Sequence, residues 1–354
     1  MLSYLAGVLH FNLFTYITVR AGAAFCFAFF LALWFFPRFI VWAKRQGATQ
    51  PILSFAPSAH KDKQNTPTMG GVIFVSSALI ASLLSADLTN SLVWIGLLTL
   101  FMFATIGMID DLNKIFRRKN DEGLSAKRKF IFQLLASTIV CVLLLLEAKF
   151  STRLYLPFLK EPISDPGWYM AFFWILVIVS ASNAVNLTDG LDGLAVVPTI
   201  FAVSTLAVFM YLSGHAILSA SLLLPKLIGV GEVVIIASAL LGGLLGFLWY
   251  NANPAEVFMG DSGSLSIGAF VAYSAILSKN EILLLLICFI FVVETISVIL
   301  QVGSYKLRRR RVFLMAPLHH HFELKRWAEN KIIVRFWIIA LLSNVLALIT
   351  IKIR

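Results

Sequence analysis

Two carboxylates in this sequence stand directly at the end of a long apolar run. Asp110 and Asp111 follow SLVWIGLLTLFMFATIGMI with no polar residue between. A carboxylate at the end of a membrane helix is costly unless it faces water, a cation or a partner group. Two adjacent aspartates can share a cation or a proton. The pair is therefore a candidate for catalysis or metal binding, with interfacial anchoring as the structural alternative.

A second stretch, NAVNLTDGLDG, follows the apolar run WYMAFFWILVIVSAS. Its polar members stand three residues apart and comprise Asn183, Asn186, Asp189 and Asp192. If the segment is helical, side chains at this spacing share one face. The glycines Gly190 and Gly193 would let a ligand approach the backbone closely. Helix capping could account for one aspartate but not for the whole cluster.

Asp261, in FMGDSGS, has two compatible interpretations. It could cap a helix beginning near Ser264, and the amino terminus of that helix would also favour a phosphate group. Together with the four aspartates named above it makes five candidate ligands for a divalent cation. Mg²⁺ prefers oxygen ligands, often one or two carboxylates with substrate phosphates. The sequence therefore indicates a Mg²⁺-dependent phosphate site.

Three consecutive histidines, His319, His320 and His321, lie in PLHHHFE near the basic run KLRRRR. Consecutive residues seldom converge on one zinc ion, so hydrogen bonding to phosphate fits better. Three lysines are further candidate phosphate partners, and each could equally be a solvated surface charge: Lys61, Lys63 and Lys114. Glu294, inside FIFVVETISVILQ, is an intramembrane acid that either has a function or stabilises a helix bend. We leave it outside the predicted site.

The elements that must position these residues are membrane helices. Of 354 residues, 59% are hydrophobic and 13% are charged, against roughly 25% charged in a soluble domain. The composition predicts an all-α polytopic membrane protein that forms one domain over residues 1–354. The ten predicted spans are 19–37, 70–86, 91–109, 130–147, 168–187, 195–212, 232–250, 264–279, 282–303 and 332–351. The apolar N-terminal arm is expected to lie on or in the membrane, and the three cysteines are expected to be buried and unpaired.

Basic residues then orient the spans. Lysine and arginine concentrate in the loops at 38–69, 110–129 and 304–331, whereas the alternate loops carry few. The positive-inside rule places these loops in the cytoplasm and both termini outside. All five polar stretches then fall on the cytoplasmic face, at 60–71, 108–114, 183–193, 251–264 and 317–323. The net charge of +11 is explained by topology, acidic lipid headgroups and a phosphorylated substrate, and not by nucleic acid.

Several function classes find no support in the sequence. It has no Walker A loop, no G-x-G-x-x-G and no G-x-S-x-G, so ATP hydrolysis and dinucleotide redox chemistry are not indicated. An ion-coupled transporter of anionic metabolites stays open, although the two halves of the chain do not match as paired repeats would. Carboxylates, lysines and histidines at one membrane face favour phosphoryl transfer to or from a lipid.

The polar stretches TPTMGG, GMIDDLNK, NAVNLTDGLDGLA, YNANPAEVFMGDSGS and PLHHHFE resemble the bacterial phospho-N-acetylmuramoyl-pentapeptide transferase family, in the family's order. The resemblance implies transfer of phospho-MurNAc-pentapeptide from UDP-MurNAc-pentapeptide to undecaprenyl phosphate, giving lipid I and UMP. It also implies Mg²⁺ dependence, a multi-pass location in the bacterial cytoplasmic membrane among membrane lipids, and a homodimer. A sister enzyme that transfers N-acetylglucosamine phosphate is the alternative, distinguished by the region around PLHHHFE.

The resemblance also implies roles for individual residues. Asp110 and Asp111 would be the catalytic pair, with Asp110 as the base toward the lipid phosphate, and Asp261 would be catalytic as the Mg²⁺ ligand. The implied substrate-binding residues are Lys63, Lys114, Asn183, Asn186, Asp189, Gly190, Leu191, Asp192, Asn251, Phe258, His319, His320 and His321. Direct attack by the lipid phosphate and a covalent aspartyl intermediate both stay open, and we favour the direct route because a lipid phosphate is already largely ionised.

Overall fold

The computed structural model of the protein describes residues 12–48, 66–117, 123–147 and 150–352. Within these ranges the fold is all-helical, with one isolated bridge between Leu154 and Ser164. The α-helices are α1 (Ile17–Gln46), α2 (Gly70–Ser85), α3 (Ser91–Arg117), α4 (Ala126–Leu146), α5 (Met170–Thr188), α6 (Val196–Gly214), α7 (Ala216–Ser221), α8 (Val234–Asn251), α9 (Gly260–Leu277), α10 (Leu284–Ile287), α11 (Phe289–Arg308), α12 (Leu318–Leu324) and α13 (Glu329–Ile349). This confirms the predicted fold class.

Nine of the ten predicted spans each form one helix, and the ninth, 282–303, is divided at Cys288 into α10 and α11. Among the described residues, eight helices are long and apolar enough to cross a membrane: α1, α3, α4, α5, α6, α8, α11 and α13. The two others differ for physical reasons. Helix α2 has only 16 residues, and α9 begins with the polar turn GDSGS.

Helices α1 and α3 run the furthest past their predicted ends. Helix α1 continues through Pro37 to Gln46, where Gly47 ends it in the left-handed conformation (φ 66°). Helix α3 continues to Arg117, so the expectation that Asp110 and Asp111 lie in a loop is wrong. Both carboxylates are on the last turns of a helix that extends beyond its apolar run. The change from apolar to polar residues therefore marks a change in the surroundings of the helix and not its end.

Helix α9 lies at the centre of the bundle, in contact with α2, α3, α5 and α6. Every residue from Ser262 to Leu277 is buried. Since protein surrounds it on all sides, α9 need not be uniformly apolar. Two of its serines are satisfied locally: the Ser264 hydroxyl donates to the Gly260 carbonyl at 3.1 Å and the Ser266 hydroxyl to the Ser262 carbonyl at 2.9 Å. The polar amino terminus of α9 is thereby placed inside the bundle.

The outer helices present apolar side chains to the surroundings. Large hydrophobic residues on the outer surface include Phe30 on α1, Leu135 on α4 and Leu342 on α13. This is the pattern of a bundle that faces lipid. Cys26 on α1 is also exposed, so its predicted burial is wrong, whereas Cys141 and Cys288 are buried and all three are unpaired as expected.

The described chain enters and leaves the bundle at the end opposite Asp110. Near the start of α1, Arg20 forms a buried ion pair with Glu232, which directly precedes α8. Toward the end of α13, the Asn344 side-chain amide donates to the Ile287 carbonyl at 3.0 Å. The N-terminal arm at residues 1–11 lies outside the described residues.

Candidate active site

The five polar stretches meet at one end of the bundle. The segment before α2 pairs with the segment before α9, where Gly70 N–H donates to the Phe258 carbonyl and Phe258 N–H to the Pro67 carbonyl, both at 2.8 Å. The end of α3 reaches the start of α9, and the loop after α5 contacts both the end of α8 and α12. The backbone of Phe258 thus joins two loops, while Lys63, a predicted substrate contact, lies outside the described residues.

Three carboxylates form the centre of the site. One ligand oxygen from each of Asp110, Asp111 and Asp261 lies within 4.8 Å of the others. Asp110 is 2% exposed and Asp111 is 3% exposed. Elements far apart in sequence supply these groups, as the residues of α3 and α9 are about 150 positions apart. Three anionic groups this close must be balanced by cations or protons.

Asp111 fixes the start of α9. Its two carboxylate oxygens accept the backbone N–H groups of Asp261 and Ser262, each at 3.0 Å. These donors have no partner within their own helix, so a carboxylate from α3 caps α9 from outside. Of the two interpretations of Asp261, the capping role is not found, because α9 already begins at Gly260 and the Asp261 side chain contacts Asn186, Lys114 and Lys129.

Two lysines balance the charge of Asp110 and Asp261. Lys114 Nζ lies 2.7 Å from Asp110 Oδ2 and 3.0 Å from Asp261 Oδ2. Lys129 Nζ lies 2.5 Å from Asp261 Oδ2 and 3.6 Å from Asp110 Oδ2. Leu124 N–H donates to Asp110 Oδ1 at 2.6 Å. Lys114, predicted to contact phosphate, neutralises the carboxylates in this structure.

This donor set fits Mg²⁺. Carboxylate oxygens are the hard ligands that the ion takes, commonly one or two from the protein with the remainder from substrate phosphates and water. Asp110 and Asp261 are better placed than Asp111, which uses both oxygens on backbone N–H groups. The ammonium groups of Lys114 and Lys129 supply, next to Asp261 Oδ2, the positive charge that an ion would also bring.

The end of α5 supplies amides to the same centre. The Asn186 side-chain amide donates to Asp261 Oδ1 and to Ser264 Oγ, both at 2.8 Å. One turn earlier, Asn183 and Gln133 exchange side-chain hydrogen bonds, with the Asn183 amide donating at 2.7 Å. Asn186 therefore orients Asp261 directly, while Asn183 joins α5 to α4.

The loop after α5 is not helical, so Asp189 and Asp192 do not share a helix face as predicted. Asp189 follows the last residue of α5. Loss of solvation raises the pKa of its carboxyl group to about 8. The negative charges of Asp261, Asp111 and Asp192 act on the pKa in the same direction. Burial and these neighbouring charges therefore favour the protonated form of Asp189.

Asp192 and Asn251 tie two loops together. Asp192 Oδ2 accepts the Asn253 side-chain amide and the Ala255 N–H, each at 3.0 Å. Asn251 donates to the Val257 carbonyl at 2.8 Å and accepts Gly193 N–H at 2.9 Å. Both side chains are buried, as is Leu191, which belongs to a small hydrophobic cluster with residues of α11 and α13. In the described structure these three residues build the loops, whereas Gly190 is exposed.

The three histidines have different surroundings, so they do not form a single ligand set. His319 is fully buried, with Nδ1 at 3.3 Å from Glu294 Oε1. His320 Nδ1 contacts Glu323 Oε2 at 2.6 Å. His321 Nδ1 accepts Leu314 N–H at 3.1 Å, and loss of solvation together with Lys325 lowers the pKa of its ring.

Sequence reasoning misses four residues that the structure brings to the site: Lys129, Gln133, Ser264 and Glu294. Lys129 and Gln133 stand four apart, a spacing that puts them on one face of α4. Only the polarity of Gln133 within an apolar run could have drawn attention to this face. Glu294 stands out as an intramembrane acid, but nothing in the sequence connects it with the histidines.

The site and the fold define a membrane-embedded, carboxylate-based transferase. The family model of glycosyl transferase family 4 matches residues 93–279, which is more than half of the chain and includes Asp110, Asp111, Asn186 and Asp261. Signature 1 of phospho-N-acetylmuramoyl-pentapeptide transferases matches residues 63–75.

Curated relatives are similar over the full chain. The phospho-N-acetylmuramoyl-pentapeptide transferase of a Nitratiruptor species is 60% identical over 354 residues, covering 100% of both chains. The protein of the same name from Campylobacter hominis is 55% identical over the same length and coverage. That of Campylobacter lari is 58% identical over 351 residues, 99% of each chain. The chain belongs to the phospho-N-acetylmuramoyl-pentapeptide transferase family.

Proposed function

We propose that this protein transfers phospho-MurNAc-pentapeptide from UDP-MurNAc-pentapeptide to undecaprenyl phosphate, releasing UMP and forming lipid I. The observation that carries the proposal is the cluster of Asp110, Asp111 and Asp261 with Lys114 and Lys129 at one end of the bundle. Phosphoryl transfer needs positioned positive charge more than covalent work by the protein, and the two lysines together with a cation held by the carboxylates would supply it. Membership in the family adds the identities of donor and acceptor.

The transfer makes one bond and breaks one. An oxygen of the lipid phosphate bonds to the sugar-bearing phosphorus of the donor. The bond from that phosphorus to the bridging oxygen breaks, and UMP leaves with the electron pair. The reaction therefore exchanges one phosphoanhydride for another, and the protein must chiefly align two anions that repel each other.

The residues of the cluster serve this alignment. Lys114 and Lys129 balance the negative charge of two converging phosphate groups, and bound Mg²⁺ would add a Lewis acid that stabilises the leaving phosphate. Asp110, held by Lys114 and by Leu124 N–H, is placed to orient the lipid phosphate or to accept its last proton. Asp261, oriented by the Asn186 side-chain amide, would hold the ion. Trapping a competent phospho-aspartyl enzyme with the donor alone would overturn this direct route in favour of a covalent one.

Release of UMP tests the proposal. The purified protein in detergent, with Mg²⁺ and undecaprenyl phosphate, is given UDP-MurNAc-pentapeptide or UDP-N-acetylglucosamine. We expect UMP to be released with UDP-MurNAc-pentapeptide and not with UDP-N-acetylglucosamine. Release with the other donor would assign the protein to the sister activity, and a folded protein that releases no UMP with either donor would favour transport.

Mg²⁺ dependence has its own test. Asp261→Asn keeps the size of the side chain but removes the charge that an ion requires. We expect activity to collapse and the Mg²⁺ titration of residual activity to shift to higher concentration. An unchanged Mg²⁺ titration with near-normal activity would restrict Asp261 to its hydrogen bonds with Asn186 and the lysines.

We place the site at the cytoplasmic face of a bacterial inner membrane. The basic loops flank the site end of the bundle, which is where the positive-inside rule expects cytosol. A nucleotide-linked donor also reaches the protein from that side. Labelling of single cysteines introduced in the loop at residues 222–229 and at exposed Lys325 in intact cells would test the orientation. We expect a reagent that does not cross the membrane to label the cysteine in the loop and not the one at position 325. The opposite pattern would place the site on the outer face.

A further inference from the structure

We propose that Glu294 is a positioning residue that holds His319 in the orientation needed to bind the donor substrate. This inference rests on the proposed function. Glu294 lies on α11, inside a membrane-spanning segment, and its side chain is fully buried. A carboxylate there is costly unless its oxygens are hydrogen-bonded or paired with a cation. Its partners therefore indicate why it is there.

The Glu294 carboxylate contacts the start of the histidine helix with both of its oxygens. Oε2 accepts the Leu318 backbone N–H at 2.5 Å, and Oε1 accepts the His319 backbone N–H at 3.1 Å. The residue that precedes α12 is Pro317, which offers no side-chain cap. A carboxylate 24 residues away therefore caps the first turn of α12. Glu294 thus fixes the backbone from which His319 projects.

The same carboxylate also lies beside the imidazole ring. Glu294 Oε1 is 3.3 Å from His319 Nδ1, which is within ion-pair distance, although Nδ1 makes no hydrogen bond in the described structure. A carboxylate behind one ring nitrogen commonly sets the tautomer and direction of a functional histidine. Glu294 therefore fixes the backbone of His319 and places a negative charge on the Nδ1 side of the ring.

The free end of the ring faces the loop that carries Asp189. A Cβ atom added at Gly190 would lie only 2.3 Å from His319 Nε2, so the ring tip touches the Gly190 backbone. Nε2 is buried and makes no hydrogen bond in the described structure. A buried ring nitrogen without a partner is costly and calls for an explanation. We assign Nε2 to a phosphate or nucleotide group of the donor that binds over the exposed Gly190.

A double-mutant cycle in UMP release tests the assignment. Glu294→Gln keeps the shape but removes the charge behind Nδ1, and His319→Asn removes the ring. We expect each to lower kcat/KM for the UDP-linked donor by on the order of 10- to 100-fold, mainly through KM, with KM for the lipid phosphate unchanged. Because Glu294 acts through His319, the double variant should lose no more than His319→Asn alone. Losses that multiply, or full activity of Glu294→Gln, would overturn the proposal.

Glu232→Gln is the matched control. It also removes a buried carboxylate with a charged partner, Arg20, at the far end of α8. We expect it to lower thermal stability. In the double variant, its effect on kcat/KM for the donor should multiply with the effect of His319→Asn. If it instead failed to multiply, the cycle would report general destabilisation and the positioning role would be rejected.

A second variant keeps the test decisive if Glu294→Gln does not fold. Gly190→Ala pushes against Nε2 from the opposite side while Glu294 stays intact. It should raise donor KM in the parent and have no added effect when His319 is replaced by alanine. Equal effects in both backgrounds would contradict the contact that we assign. If the parent protein releases no UMP with any donor, the proposed function fails. If the parent is active but the effects of Glu294→Gln and His319→Asn multiply, only the positioning role of Glu294 fails.

Discussion

Asp111 holds the first turn of the helix that carries Asp261, with its two oxygens accepting the Asp261 and Ser262 N–H groups at 3.0 Å each. The adjacent Asp110 instead faces Lys114 and Lys129. Two neighbouring aspartates thus have different surroundings. One is occupied by the backbone of α9, and the other faces the two lysines of the site. Their substitution should separate stability from activity.

We expect Asp111→Ala to destabilise the protein and Asp110→Asn to inactivate it. Loss of Asp111 leaves two N–H groups without an acceptor at a buried helix start, which costs about 1 to 3 kcal/mol. Asp110→Asn keeps an oxygen for Leu124 N–H and leaves both lysines paired with Asp261. Thermal unfolding in the presence of EDTA and UMP release are the two measurements.

The comparison has a clear contrary outcome. If Asp110→Asn unfolds at a much lower temperature than the parent while Asp111→Ala does not, the assignment of the two roles is reversed. Asp111→Asn is a useful intermediate, because it retains one acceptor oxygen and should lose about half of the stability lost by the alanine variant.

Much of the site can be predicted because each polar stretch interrupts an apolar run. Asp110 and Asn186 stand out in this way, since a membrane helix seldom tolerates such groups without a partner. Helical structure and eight of the ten predicted spans also follow from hydropathy, which depends on local composition. These features need no knowledge of which helices are neighbours.

The remaining features depend on tertiary contacts that composition does not encode. Lys129 stands in a basic run with Lys127 and Arg128, and only the packing of α4 against the site selects it. The capping role of Asp111 requires α9 to meet α3. Asp192 and Asn251 are polar in the same way as Asn186, but their hydrogen bonds are used to build loops. Residue type alone could not separate these cases.

Lys129→Met should lower transferase activity on the order of 100-fold, the loss typical when one preorganised positive partner of a developing charge is removed. Its ammonium group lies 2.5 Å from Asp261 Oδ2 and balances charge that Lys114 alone would leave uncompensated. Lys127→Met, on an exposed position of the same helix, is the matched control and should keep its activity. Equal loss in the two variants would assign the effect to the positive charge of the loop as a whole.

Asp189→Asn should change how stability depends on pH. The pKa of Asp189 is raised to about 8 in the folded protein, whereas an unfolded aspartate titrates near 4. The folded state therefore binds the proton more tightly, and the parent loses stability as pH rises from about 4 through about 8. The variant has no such titration.

The measurement is the unfolding temperature of parent and variant from about pH 5 to about pH 9 in EDTA, which removes metal. We expect the difference, variant minus parent, to increase with pH and to level off above about pH 8. A difference that stays constant, or that decreases with pH, would contradict the raised pKa.

Gly107→Ala should damage both stability and activity, because α3 and α9 touch at this residue. A Cβ atom there would lie 2.2 Å from the carbonyl carbon and oxygen of Asp261. Because these are backbone atoms, one of the two helices would have to shift to make room. The shift would draw Asp261 away from Lys114 and the capping N–H groups away from Asp111. Gly22→Ala, a helical glycine of α1 with nothing within 4 Å of the added atom, is the control and should fold and react like the parent. The measurements are thermal unfolding and UMP release of the two variants. A fully active Gly107→Ala variant would show that α9 can move on α3 without disturbing the carboxylate cluster.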